Sequence, residues 1–206
     1  MKREQPDGSA TSERERWEAR HAQAGAVAGP SEFIVRHARR IADAAGARDA
    51  SRRPRALDLA AGAGRHARLL AALGYRVVAL DFSLVALRRL AAAEPAVRAL
   101  CADATRLPLR RESFDLIIQT CFLERAILPA LAASLAGGGT LLLETFLVDQ
   151  FERSGHPRRE FCLERGELVR LCAAPEVNLT VEALHETPPE SPPGVPFYAS
   201  LVACKS

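Results

Sequence analysis

Five short runs of apolar residues, set apart by turns and helix-length stretches, constrain this chain more than any other feature. They are Ala56-Leu57-Asp58-Leu59-Ala60, Val77-Val78-Ala79-Leu80, Val97 to Cys101, Phe114-Asp115-Leu116-Ile117-Ile118 and Thr140-Leu141-Leu142-Leu143-Glu144-Thr145-Phe146. They are largely apolar throughout and do not alternate with polar residues. Strands of that kind suit a parallel sheet covered on both faces. Helical stretches over 65–73, 83–94 and 125–135 lie among them, stopped at Gly74, at Glu94-Pro95 and before Gly137-Gly138-Gly139. Strands and helices of this length in alternation imply right-handed crossovers in a doubly wound α/β sheet.

The rest of the chain reads around that unit. Residues 1–10 are polar and are expected to form a disordered tail. Helices are expected over 12–23, carrying Trp17, and over 32–46, with Ser31 as N-cap. Residues 147–165 read as irregular and polar, and a helix follows over 166–173. Val177 to His185 and Pro196 to Cys204 are two last strand candidates. The proline-rich segment between them is short enough for an antiparallel hairpin. A length of 206 residues fits one domain at about 150 residues per domain. That domain is placed at 11–206, with residues 11–50 as an N-terminal helical lid.

Composition narrows the classes of function. The formal net charge is +3, with no basic cluster of the kind a nucleic-acid binder carries. Five scattered cysteines without C-x-x-C or His/Cys ligand spacing point to reduced thiols and no metal. No apolar run reaches the roughly 18 residues of a membrane span, and the N-terminus lacks the apolar core of a signal peptide. The expectation is a cytoplasmic protein, monomer or homodimer, away from the membrane.

The chemistry concentrates at the end of the first strand. Asp58-Leu59-Ala60-Ala61-Gly62-Ala63-Gly64 puts glycines where a backbone can approach a ligand. The next helix aims its first N–H groups the same way. The second strand ends in Asp81, where a carboxylate can accept hydrogen bonds from a ribose diol. A cofactor containing a nucleoside is therefore expected at the carboxyl ends of the strands. Gly62-Ala63-Gly64-Arg65-His66-Ala67 also fits the dinucleotide pattern G-x-G-x-x-G/A. Three features argue against nicotinamide. Asp58, four residues before the first glycine, suits a cationic ligand better than a pyrophosphate. Asp103, after the third strand, can meet an adenine amino group. The C-terminal part is a strand pair where a second mononucleotide-binding half would be needed.

At these residues the sequence resembles the class I S-adenosylmethionine-dependent methyltransferases, over about residues 15–204. The resemblance implies a mostly parallel seven-stranded Rossmann-like sheet in the order 3-2-1-4-5-7-6. It implies S-adenosylmethionine as cofactor, wrapped by Asp58, Ala60, Gly62 and Gly64, where Ala60 replaces the usual first glycine. Asp81 and Phe82 would hold the ribose side, and Asp103 and Ala104 the adenine. A closer resemblance is to the small tellurite-resistance and thiopurine type. It rests on Trp17-Glu18-Ala19-Arg20-His21, Leu123-Glu124-Arg125, Glu144-Thr145-Phe146 and Gly155-His156-Pro157-Arg158. It implies a lid in which Trp17 covers the cofactor and Arg20 faces its carboxylate.

Other positions carry alternatives. Glu124 and Arg125 follow the fourth strand, where substrate contacts are often placed. Glu144 near the end of the fifth strand and His156 in the segment after it are candidates for proton transfer, each against an ordinary capping or solvated role. His66 is as readily an idle side chain as a ligand contact. Gln119-Thr120-Cys121-Phe122 is not the D/N-P-P-Y tetrapeptide of amino-methylating enzymes. The expected function is methyl transfer to a small molecule through an S, Se, Te, O or N atom. An RNA methyltransferase, a non-catalytic cofactor-binding protein and a nicotinamide oxidoreductase are the rivals.

Overall fold

The apolar runs assemble into one seven-stranded sheet. In the computed structural model its strands are β1 (Arg55–Leu59), β2 (Arg76–Asp81), β3 (Arg98–Cys101), β4 (Phe114–Thr120), β5 (Leu135–Phe146), β6 (Leu179–Glu186) and β7 (Tyr198–Lys205). The structure describes residues 8–23, 28–48 and 51–206. The sheet order is β3-β2-β1-β4-β5-β7-β6. β1 pairs in parallel with β2 and β4, β2 with β3, and β4 with β5. β7 runs antiparallel to both β5 and β6. The expected order and the C-terminal hairpin are both present.

The helices are α1 (Gly8–Gln23), α2 (Glu32–Arg48), α3 (Arg65–Ala72), α4 (Leu84–Ala93), α5 (Leu128–Ser134), α6 (Val148–Ser154) and α7 (Glu167–Ala173). Side chains alternate between two cores, one on each face of the sheet. Leu57, Leu59, Ile117, Leu141, Leu143 and Leu201 pack with Leu128 and Leu131 of α5 and Leu168 of α7. Ala56, Leu116, Ile118, Leu142 and Val202 pack with Ile34 of α2, Leu70 of α3 and Leu90 of α4. Burial on both faces is why β1, β2, β4 and β5 are largely apolar throughout, while β3 at the sheet's edge is mostly exposed.

Local chemistry sets the ends of the elements. Ser83 caps α4, its Oγ accepting from the Ala86 N–H at 3.2 Å. Gly64 opens α3 at φ +80°, and a Cβ there would lie 2.3 Å from Leu90 Cδ1. Only glycine fits that close approach.

Four expectations need correction. β5 starts at Leu135, five residues before the expected Thr140, and takes in Gly137-Gly138-Gly139. α1 starts at Gly8, inside the stretch read as a tail; residues 1–7 lie outside the described residues. The segment after β5 holds α6. Its Asp149, Gln150, Glu152 and Arg153 made it read as loop, yet the strand exit is held by the Val148 N–H to the Leu163 carbonyl at 2.9 Å. The helix expected over 125–135 divides into a short 3-10 turn at Arg125–Ile127 and α5, with Pro129 in the first turn of the latter.

Among the described residues, no helix is long and apolar enough to cross a membrane. No group of three or more His, Cys, Asp or Glu among them is placed to hold a metal ion.

Candidate functional site

The carboxyl ends of β1, β2, β4 and β5 and the amino end of antiparallel β7 bring the sequence's polar candidates to one edge of the sheet. Asp58 ends up buried, 1% exposed, on the α3 side of β1. Its Oδ2 is buried without a hydrogen-bond partner. Burial pushes its carboxyl up to about 7, against smaller opposing effects from the Ala67 backbone and the Arg65 charge. An unpaired buried carboxyl at a glycine loop is the kind of group that a cation would satisfy.

Asp81 organises the loop itself. Its Oδ2 accepts from the Gly62 N–H and its Oδ1 from the Ser83 N–H, both at 2.8 Å. Each carboxylate oxygen has two acceptor sites, so one remains on each for a diol. Phe82 follows at half-burial. The loop backbone turns left-handed at Ala60 (φ +54°) and Gly62 (φ +53°). Alanine at position 60 keeps the geometry that glycine would adopt without strain.

Asp103 is exposed, and its Oδ1 accepts from the Thr105 N–H and hydroxyl, both at 2.8 Å. It thus shapes the turn that carries Ala104, and its second oxygen is the one available to an amino group.

α1 lies across this edge, and residues that sequence reasoning passed over make the contact. Glu18 accepts from the Ser83 hydroxyl (3.0 Å), the Leu84 N–H (2.9 Å) and the Val85 N–H (3.2 Å) at the start of α4. Arg89 of α4 donates to the carbonyls of His21 and Ala22. The His21 ring packs on the glycine loop, 3.2 Å from where a Cβ of Gly62 would stand. Trp17 stacks on His21 at 5.9 Å and is 40% exposed. The Arg20 guanidinium sits 4.9 Å from the Trp17 ring centroid.

His66 is buried and fully engaged. Its Nε2 accepts from the Ser31 N–H, and its Nδ1 meets the Thr120 hydroxyl, both at 3.2 Å. Burial, helped by Arg65, lowers it to about 3. The ring is therefore neutral, and the Nε2 contact leaves the proton on Nδ1, directed at Thr120. It ties the start of α2 to the end of β4.

Thr120, Glu144 and Ser200 stand in register across β4, β5 and β7. The Ser200 hydroxyl donates to Glu144 Oε2 at 2.9 Å. One residue on, Cys121 takes φ +52° and is exposed. Arg65 NH2 approaches its Sγ at 3.7 Å, and Tyr198 contacts the same thiol. Burial pushes the Tyr198 hydroxyl up to about 12, with Cys121 adding to the effect.

The remaining candidates lie apart from this cluster. Glu124 accepts from the Ala126 N–H at 3.0 Å, capping the turn after β4. Arg125 is spent on Glu167 and the carbonyls of Cys162 and Glu160. His156 is exposed after α6, and its backbone is tied to the Ser154 hydroxyl.

Residues 57–140 match a family model described as a methyltransferase domain. Over 78 residues the chain is 44% identical to a demethylmenaquinone methyltransferase of Clavibacter sepedonicus, covering 36% of this chain. The chain spans about a third, 32%, of that relative's length. A Burkholderia thailandensis 1,6-didemethyltoxoflavin-N1-methyltransferase, solved with bound 1,6-didemethyltoxoflavin and S-adenosylhomocysteine, superimposes with TM-score 0.64 at 20% identity. That match covers 100% of this chain and 92% of the other. An S-adenosylmethionine-dependent methyltransferase from Mesorhizobium loti gives TM-score 0.62 at 18% identity, over 74% and 91% of the two chains. The fold is the Rossmann-like methyltransferase fold.

Proposed function

We propose that the chain is an S-adenosylmethionine-dependent methyltransferase of class I, acting on a small-molecule acceptor. The observation that carries this reading is Asp58, a buried carboxyl with an orphaned oxygen beside a glycine loop that Asp81 holds in shape. The match of residues 57–140 to a methyltransferase-domain model supports it. A pyrophosphate would meet an acid at this point, which speaks against a nicotinamide cofactor. The tellurite-resistance and thiopurine type is the subgroup that the Trp17-to-His21 stretch favours.

When bound, S-adenosylmethionine supplies a methyl group already activated on a positively charged sulfur. Asp58 would face its cationic methionyl end. Gly62 and Gly64 would let the backbone come close, and Asp81 would hold the ribose, with Asp103 and Ala104 beside the adenine. α1 would cover the site through His21 and Trp17 and exclude water, with Arg20 as partner for the cofactor's carboxylate. The rest is alignment, which supplies roughly 7–11 kcal/mol of a barrier. A sulfur, selenium or tellurium anion needs no base. For an oxygen or nitrogen acceptor, Glu144 is the better-placed proton acceptor, because it sits at the strand ends while His156 lies on an exposed loop. Full turnover in Glu144→Gln would remove it from that role.

The test is calorimetric titration with S-adenosylmethionine, S-adenosylhomocysteine and NAD. The two adenosyl ligands are expected to bind and NAD to fail. A thermal scan at 100 times the dissociation constant should show about 2.7 kcal/mol, roughly 5–11 °C for a domain of this size. Repeating the titration at pH 6 in buffers of different ionisation enthalpy should reveal proton release, because a cation beside Asp58 favours its charged form. Binding of NAD alone, or of no ligand, overturns the reading.

A further inference from the structure

Three side chains converge on the outer edge of the site without a part in cofactor binding. Cys121 is bent into the left-handed region at the carboxyl end of β4, where a side chain other than glycine is strained. Its N–H is fixed to the Glu144 carbonyl at 2.9 Å, which holds the bend in place. The bend exposes the thiol and sets it against Arg65 NH2 at 3.7 Å. Tyr198 reaches the same thiol from β7, and its ring packs on Phe146 at 4.7 Å between centroids. The charge of Arg65 also acts on Asp58, His66 and Tyr198, so this guanidinium is the common cation of the strand ends. The acid of the cluster, Glu144, already has a donor in Ser200.

We propose that the acceptor subsite is the edge where Arg65, Cys121, Tyr198 and Phe146 meet, and that it takes an anionic acceptor with a flat or apolar body. Arg65 balances the charge, the Tyr198 hydroxyl donates to it, and the Phe146–Tyr198 ring pair packs the body. Cys121 is the floor and takes no covalent part. This rests on the methyl-transfer reading and names its substrate class. An anionic acceptor brings its own lone pair. The acceptor–carbon bond forms as the carbon–sulfur bond breaks, the pair of electrons stays on the sulfur, and the two opposite charges cancel. No proton has to be moved, which fits the neutral, locked state of His66 at the strand ends.

Cys121 reports on this subsite without any known acceptor. Its alkylation rates with iodoacetate (an anion) and with iodoacetamide (neutral, similar in size) are measured by peptide mass spectrometry. Their ratio is compared with that of N-acetylcysteine amide. Thiolate content cancels in the ratio, which leaves the local field. A cation about 4 Å away should raise the ratio at Cys121 about fivefold. Arg65→Gln should return it to that of the free thiol, and Arg65→Lys should keep most of it. Native and variant melting temperatures confirm the fold. A ratio at Cys121 equal to that of the free thiol, a ratio unchanged in Arg65→Gln, or a Cys121 that neither reagent reaches while exposed Cys101 reacts, would each overturn the subsite. Titration of the native chain with S-adenosylhomocysteine reads the cofactor separately, so failure there and failure here are distinct.

Discussion

Asp58 and His66 lie on the same face of the sheet and bias stability in opposite directions with pH. Asp58 is held near 7 against an ordinary 3.8. Between those values the fold keeps a proton that the unfolded chain has lost, so stability falls as pH rises towards 7 and stays lost above. His66 is held near 3 against 6.5. Between those values the unfolded chain binds a proton that the fold refuses, so stability falls as pH drops below 6.5. From about pH 4 to 6.5 the two slopes oppose each other, each about 1.4 kcal/mol per pH unit. Urea unfolding across this range should unmask them. Asp58→Asn should lose stability as pH falls, and His66→Gln as pH rises, relative to the native chain. Parallel profiles for both variants and the native chain would refute the assignment. Asp58 was legible in the sequence from its place before the glycines. The locked state of His66 was not, because its partners Ser31 and Thr120 are 35 and 54 residues away.

At the scale of elements, α1 is fastened chiefly at the start of α4. Glu18 satisfies two backbone N–H groups and the Ser83 hydroxyl there, work usually done by a capping residue within the helix. Glu18→Ala should release α1. Losing such a cap costs about 1 kcal/mol. Amide exchange along α1 should rise severalfold, and affinity for S-adenosylhomocysteine should drop by a similar factor. Unchanged exchange would show that α1 is held by other contacts. Strand positions were legible to within a residue or two, because the apolar runs stand out between turns, except that β5 begins at Leu135, five residues before the expected Thr140. α6 was not, because a seven-residue helix with an exposed charged face leaves little periodicity to read. The contacts of Glu18 and His21 were hidden for another reason. They depend on where α1 docks, and helix docking is not a local property of its sequence.

For the whole molecule, the two cores share one sheet, so neither can be lost alone. Leu131→Ala on the α5 face and Leu70→Ala on the α3 face should each cost about 2–5 kcal/mol. Each should lower the melting temperature in a single transition, with far- and near-ultraviolet circular dichroism changing together. Two separated steps would mean that the faces unfold independently. The doubly wound sheet was legible from the alternation of strands and helices, its strand order through the resemblance to class I methyltransferases, and the hairpin because its connection is short. The sequence did not reveal the acceptor edge. It is made by β4, β5, β7 and α3 together, and none of Arg65, Phe146 and Tyr198 carries a motif as an acceptor contact.

The row of Thr120, Glu144 and Ser200 has a consequence for assembly as well as for chemistry. In β5 and β7 the polar residue has apolar neighbours that face the opposite core: Leu143 before Glu144, and Ala199 and Leu201 on either side of Ser200. A slip of one residue in pairing turns every side chain to the other face. It would drive a carboxylate and a hydroxyl into the hydrocarbon beneath α5 and α7, where nothing answers them. The row at the strand ends therefore also proofreads the alignment of the strands: a chain paired out of step pays at once in buried polar groups.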